Sequence, residues 1–220
     1  MKTNQDYRLS RDINPLQIIH EEGDILIRAF RYVVKHNKSN NAPYHHLNHM
    51  LRVMGYCEEG CKYHKIEGKP RVNLLVAALF HDFNHSQGEH DDEWNIKEAK
   101  NGVRDWYANN PLNQTNINLK KVLEIIDATQ YPYIVESDDL TIEQSIIRDA
   151  DLMISQDSDW MGNMIVGLSQ EMGVDDFMKM TDGQHKFHKS IKMCSPWGKL
   201  VYEKEWSRTF TNLDILRKIL

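Results

Sequence analysis

The chain has no apolar run longer than the seven residues 74–80, far short of the roughly 20 that a helix needs to cross a bilayer. It has little cysteine. Cys57, Cys61 and Cys194 form an odd, scattered set that describes no disulfide framework and suits a reducing compartment. Cys57, Cys61 and His64 lie near one another in sequence, but a structural zinc site wants four closed ligands and the fourth is missing, so they read as core or surface thiols. There is no excess of positive charge: a formal net charge of −5 argues against a coat for duplex nucleic acid, whose affinity comes mainly from neutralising phosphates. Lys186, Lys189, Lys192, Lys199 and Lys204 crowd the last quarter, and a solvated helix face accounts for them. No apolar segment follows the early Lys2, so no secretory leader is expected, and the expected location is the cytoplasm.

Period-two alternation bounded by Gly-Asn turns is also missing, as are internal repeats and low-complexity tracts, so no sheet is expected. Three- and four-residue steps between apolar positions are what the chain has instead. Leu16, Ile19, Ile25, Ile27, Phe30, Val33 and Val34 predict one amphipathic helix over 15–36, followed by a polar loop over 37–43. Further helices are predicted over 45–63, 92–108, 117–129, 141–155 and 160–172, with a long pair across 184–220. The run 74–80 belongs to a helix buried on all sides. The expected fold class is all-α, a compact helical bundle forming a single domain over 1–220.

Two His-Asp pairs occur where composition alone gives about one. His90-Asp91 sits in a polar stretch and reads as solvated loop. His81-Asp82 directly follows the buried run, which delivers two polar side chains to an interior where uncompensated charge is costly. A divalent metal would compensate them. His45 and His49 stand four apart, which on a helix puts both on one face. His85 follows His81 by four and could reach the same centre if that helix continues one more turn. Later, Asp149 and Asp151 interrupt an apolar helical segment. They cannot both face inward on a helix, one of them should be salt-bridged or solvated, and periodicity does not choose between them.

With His49, His81-Asp82 and Ala150-Asp151-Leu152 in that order, the chain resembles the HD-domain superfamily of metal-dependent phosphohydrolases, whose pattern is H…HD…D, over a metal-binding core of about 44–152. Within it, the sequence looks most like the cyclic-nucleotide phosphodiesterase branch. That branch reads Tyr-His-Asn-x-x-His, matched by residues 44–49 except for His46 in place of Asn, and His-Asp-x-x-His, matched fully by residues 81–85. The Ala-Asp-Leu context points to Asp151 over Asp149.

The resemblance implies that His49, His81, Asp82 and Asp151 bind a first divalent ion and that Asp82 bridges to a second. It makes His45 the general acid and gives His85 the waters of the second ion. The branch also clamps a nucleobase with a Gln-x-x-Phe pair, echoed by Gln184 and Phe187, and Tyr44 would border the substrate. His/Asp ligation suits Mn, Fe, Zn, Co or Ni at the first site, and Mg or Mn at the second. The implied substrate is a small nucleotide, and its phosphoester would be hydrolysed as in a phosphodiesterase. A nucleotide phosphomonoesterase or guanosine-tetraphosphate hydrolase, a di-iron oxygenase on the same ligands and a non-catalytic nucleotide sensor are the alternatives.

Overall fold

The longest apolar segment builds the centre of the molecule. The computed structural model describes residues 13–110, 116–157 and 159–220. Residues 74–80 lie on α4 (Gly68–Phe80), and every residue over 73–80 is buried, as a segment with no polar face requires. Helices α2 (Asp24–His36), α3 (Leu47–His64) and α6 (Leu119–Asp127) pack against α4, and α7 (Ile142–Leu152) packs across α3. Each fully buried Leu or Ile contributes about 1.5–3 kcal/mol by leaving water. Leu74, Leu75, Leu79, Ile126 and Ile146 all lie in one continuous core with Met50 and Met54. Cys57 and Cys61 are core residues as well, and burial raises both thiol pKa values, Cys61 to about 12.

Around this centre run α1 (Pro15–Glu22), α5 (Asp92–Ala108), a 3-10 turn Met153–Gln156, a π-helix Met161–Gly167, α8 (Leu168–Glu171), α9 (Phe177–Ser190) and α10 (Pro196–Ile219). Among the described residues there is no strand, and no helix is long and apolar enough to cross a membrane. The all-α expectation therefore holds.

Local chemistry explains where these helices begin. Asp91 accepts from Trp94 N at 3.0 Å and opens α5, so His90-Asp91 is the loop-and-cap feature its surroundings suggested. Thr141 and Gln144 form a reciprocal capping box on α7. His46 caps α3, its Nδ1 accepting from His49 N at 3.0 Å. The residue that departs from the Tyr-His-Asn pattern therefore still does an Asn-like job.

Several expected boundaries change. The helix expected over 15–36 is two helices, because Gly23 sits at φ 71 between them, in the left-handed region that glycine enters freely. Helix α4 stops at Phe80 and does not continue toward His85. The chain turns through Asn84 at φ 60, held by Asn37 Oδ1 accepting from Asn84 N at 2.7 Å. The segment expected as a helix over 160–172 divides into the π-helix and α8. The long C-terminal pair starts earlier than expected, at Phe177.

Candidate metal centre

His49 lies in the first turn of α3, His81 and Asp82 follow the end of α4, and Asp151 lies near the end of α7. Packing of these three helices brings their polar atoms together. His49 Nε2 is 3.1 Å from Asp82 Oδ2 and 3.0 Å from Asp151 Oδ1. His81 Nε2 is 3.0 Å from Asp82 Oδ2, 3.5 Å from Asp151 Oδ1 and 3.3 Å from His49 Nε2. Both imidazoles are buried.

These separations fit an ion. Donor atoms on a sphere of roughly 2.1 Å radius lie about 3.0 Å apart on an octahedron and about 3.4 Å apart on a tetrahedron. The histidine tautomer fits too: His81 Nδ1 lies 2.7 Å from Ala78 O, a carbonyl that can only accept, so Nδ1 carries the proton and Nε2 faces the cluster. Without an ion the same atoms pair as charges. Burial alone would lower the pKa of His49, but hydrogen bonds to Asp151 and Asp82 outweigh it and lift it to about 9. His81 is raised as well, against the same burial, by Asp82 and Asp151. Asp82 and Asp151 are held well below the usual carboxylate range, the two histidines overriding a burial that would raise them.

The alternative aspartate has another task. Asp149 is fully buried, not solvated or salt-bridged as one of the pair was expected to be. Its carboxylate accepts from Cys194 N at 2.8 Å and from Ser195 N and Oγ at 2.8 and 2.7 Å, pinning the corner where α10 begins. Gly198 lies so close that a Cβ there would meet the Asp149 carboxylate. Two acids two positions apart are thus both satisfied, one by backbone amides and one by the cluster.

His45 reaches the site by a route other than a shared helix face. It precedes the first turn of α3, its ring centroid is 5.8 Å from that of His49, and it stacks on His85 at 3.6 Å. Donor atoms of His45, Asp82 and His85 form a second group close enough to share an ion. Burial, reinforced by neighbouring His45, lowers His85 to about 4, which keeps its imidazole neutral.

Glu171 is the residue that sequence reasoning missed. It ends α8, its side chain is 2 % exposed, and Oε2 is 2.5 Å from His45 Nδ1. Oε1 accepts from the backbone N of Tyr44 and His45 at 2.8 and 2.9 Å. Burial would raise its pKa, but the bonds from His45 and the two amides bring it to about 2. Gly167 allows this approach: its bare Cα lies against the carbonyl of Pro43, where any Cβ would collide. No spacing in the sequence links position 171 to position 45.

A cavity of about 420 Å³ opens at this cluster, with Tyr44, His45 and Asp151 at one end and Gln184, Phe187 and His188 on its wall. All the predicted site residues except His49, His81, Asp82 and His85 therefore line it, and those four lie directly behind His45 and Asp151.

A family model described as "HD domain" matches residues 47–154. Residues 47–154 carry an HD domain, the domain of the metal-dependent phosphohydrolase superfamily. Proteins with this domain are in general metal-dependent hydrolases, and His49, His81 and Asp82 form a group whose donor atoms lie close enough together to hold a divalent ion. The match takes in His49, His81, Asp82, His85 and Asp151, whereas Tyr44, His45, Glu171, Gln184 and Phe187 fall outside it. A search of the curated proteins gave no match.

Proposed function

We propose that this HD-domain protein hydrolyses a phosphoester of a nucleotide, in the manner of a phosphodiesterase. The observation that carries the reading is the continuity of three features. A four-atom His/Asp cluster, a histidine oriented by a buried glutamate, and a ligand-sized cavity share the edge formed by His45 and Asp151. A pure sensor would have no use for an oriented proton donor.

His49, His81, Asp82 and Asp151 would hold the ion, which when bound supplies Lewis-acid charge at the phosphoryl oxygens and acidifies a water. The chain's own residues do the rest. Glu171 accepts the Nδ1 proton of His45, which leaves Nε2 as the atom free to act on substrate. As the water oxygen bonds to phosphorus, the ester P–O bond breaks and its electron pair leaves on the alcohol oxygen. His45 gives that oxygen a proton and regains one released by the attacking water through solvent, so one water is consumed per ester. Neutral His85, stacked against His45, keeps the ring from swinging aside. Glu171 is a positioning residue in this scheme.

The test is incubation with Mn²⁺, Mg²⁺, Ni²⁺ or Fe²⁺ and a panel of cyclic mononucleotides, cyclic dinucleotides, nucleoside mono- and triphosphates and guanosine tetraphosphate, with products followed by chromatography. Hydrolysis abolished by EDTA and by Asp82→Ala is expected. Stoichiometric metal without turnover of any of these would sink the proposal and transfer weight to oxygen chemistry or sensing.

A further inference from the structure

A second cavity, of about 260 Å³, adjoins the first, and Tyr131 and Phe187 line both. Its wall carries a cation that the proposed chemistry does not use. Arg148, on α7, is 3 % exposed and lines this second cavity. A guanidinium has five N–H donors, and the protein engages two of them. Nε donates to Ala128 O at 2.8 Å and Nη1 to Val135 O at 3.0 Å. Nη2 has no acceptor among the described residues and, in contrast to the ring nitrogens of His188, is not sealed from open space.

The charge on Arg148 is not balanced locally. Among the described residues no carboxylate forms an ion pair with it. The two acids nearest to it on α7 are committed elsewhere, Asp149 to the amides of Cys194 and Ser195 and Asp151 to His49. The Tyr133 ring, its centroid 4.0 Å from the guanidinium carbon, offsets part of the charge. A buried cation without an anion is still costly. Lys192 lines the same cavity from an exposed position, so two cations there meet one acid, Glu136.

These features restrict the ligand. A guanidinium recognises two oxygens of a phosphate or carboxylate at once, which fixes the head group as an anion. Val135, Ile191 and the Tyr131, Tyr133 and Phe187 rings supply apolar wall, which suits a hydrocarbon or aromatic body. The volume lies just under the roughly 300–1,000 Å³ of most ligand sites, so that body is small.

We infer that this second cavity is a separate organic-anion site, in which Arg148 and Lys192 hold the phosphate or carboxylate head of a small apolar ligand. It shares no residue with the His/Asp cluster and does not depend on the hydrolase reading.

The test is calorimetric titration of the full chain in EDTA, with phenyl phosphate as the probe and benzyl alcohol as the uncharged comparison. Phenyl phosphate should bind, and benzyl alcohol should bind more weakly by on the order of tenfold or more. Lys192→Glu and Arg148→Gln should each weaken phenyl phosphate by a similar factor, and Lys192→Glu alone decides if Arg148→Gln does not fold. His45→Ala should leave this affinity unchanged. The location is read from Cys194, which lines the cavity and is partly exposed, whereas Cys57 and Cys61 are buried. Phenyl phosphate should slow alkylation of Cys194 by iodoacetamide, followed by mass spectrometry, and benzyl alcohol should not. Benzoate acting like phenyl phosphate in both assays supports the inference and shows that any small organic anion suffices. Equal binding of benzyl alcohol, no binding of phenyl phosphate, or an affinity unchanged by the Arg148 and Lys192 variants overturns it. Binding that is lost in His45→Ala, or that leaves Cys194 unprotected, would put the probe elsewhere and overturn it too.

Discussion

The two ends of the cavity are built on opposite terms. At the cluster, His49 and His81 each come within 3.5 Å of Asp82 and of Asp151, so opposite charges face each other even without an ion, although His49 Nδ1 and Asp82 Oδ2 keep no hydrogen-bond partner. At the α9 wall, both ring nitrogens of His188 and Oε1 of Gln184 are buried without a hydrogen-bond partner, and there no opposite charge stands against them. The first end is organised before anything binds and would exchange protons for metal. The second leaves neutral polar atoms buried and unpaired, which carries a desolvation cost.

The largest effects should come from the organised end. Asp82→Ala and Asp151→Ala should each drop bound metal, measured by elemental analysis, and take hydrolysis to background, because a missing ligand also leaves the two histidines unbalanced. Asp149→Ala should leave metal content unchanged, and the opposite pattern would reverse the assignment of the two aspartates.

Next in size is the proton donor. His45→Ala should keep its metal and slow turnover by about 10²–10⁴, and an intact rate would remove His45 from the mechanism. Glu171→Gln should lower kcat by about 10–100-fold, the range seen when the partner of a functional histidine is lost. KM should change little and Glu171→Asp should recover part of the rate. Equal loss in kcat and melting temperature, with no recovery, would reduce Glu171 to a structural residue.

Smaller effects separate stability from function. Asp149→Ala strands the donors at Cys194 and Ser195 and should cost about 1–3 kcal/mol in denaturant unfolding. The pH dependence of the metal-free chain has a definite sign. His49 is raised from 6.5 to about 9 in the folded state, so its contribution is complete below about pH 6.5 and is lost as the pH rises through about 9. The metal-free melting temperature should fall across that window, while metal affinity rises as the competing proton leaves. A metal-free melting temperature that climbs over the same range would contradict the ion-paired cluster.

Much of this was legible in residue order. The run ending at His81-Asp82 marked both the central helix and the ligands, since a long apolar segment has to be buried and its terminal polar pair has to be compensated. The helix over 92–108 was readable because its acidic start and its Asn-Asn-Pro end are local signals. Other features were not. The break at Gly23 depends on whether a glycine inside an apolar pattern takes a positive φ, which packing decides. The choice between Asp149 and Asp151 followed from resemblance, because periodicity counts faces of a helix and left the two open; it does not count the amides just before α10 that hold Asp149.

By itself, then, the sequence determined that the chain is helical, where its core runs and which histidine and aspartate types are delivered to the interior, because periodicity and burial are properties of neighbouring residues. Tertiary structure alone decided that Glu171 holds His45 across 126 positions, that His85 arrives by a turn through Asn84, and that both nitrogens of His188 are buried without a hydrogen-bond partner. Those are contacts between distant segments, fixed by how α8 and α9 pack against the loop before α3, and no local rule of spacing encodes them.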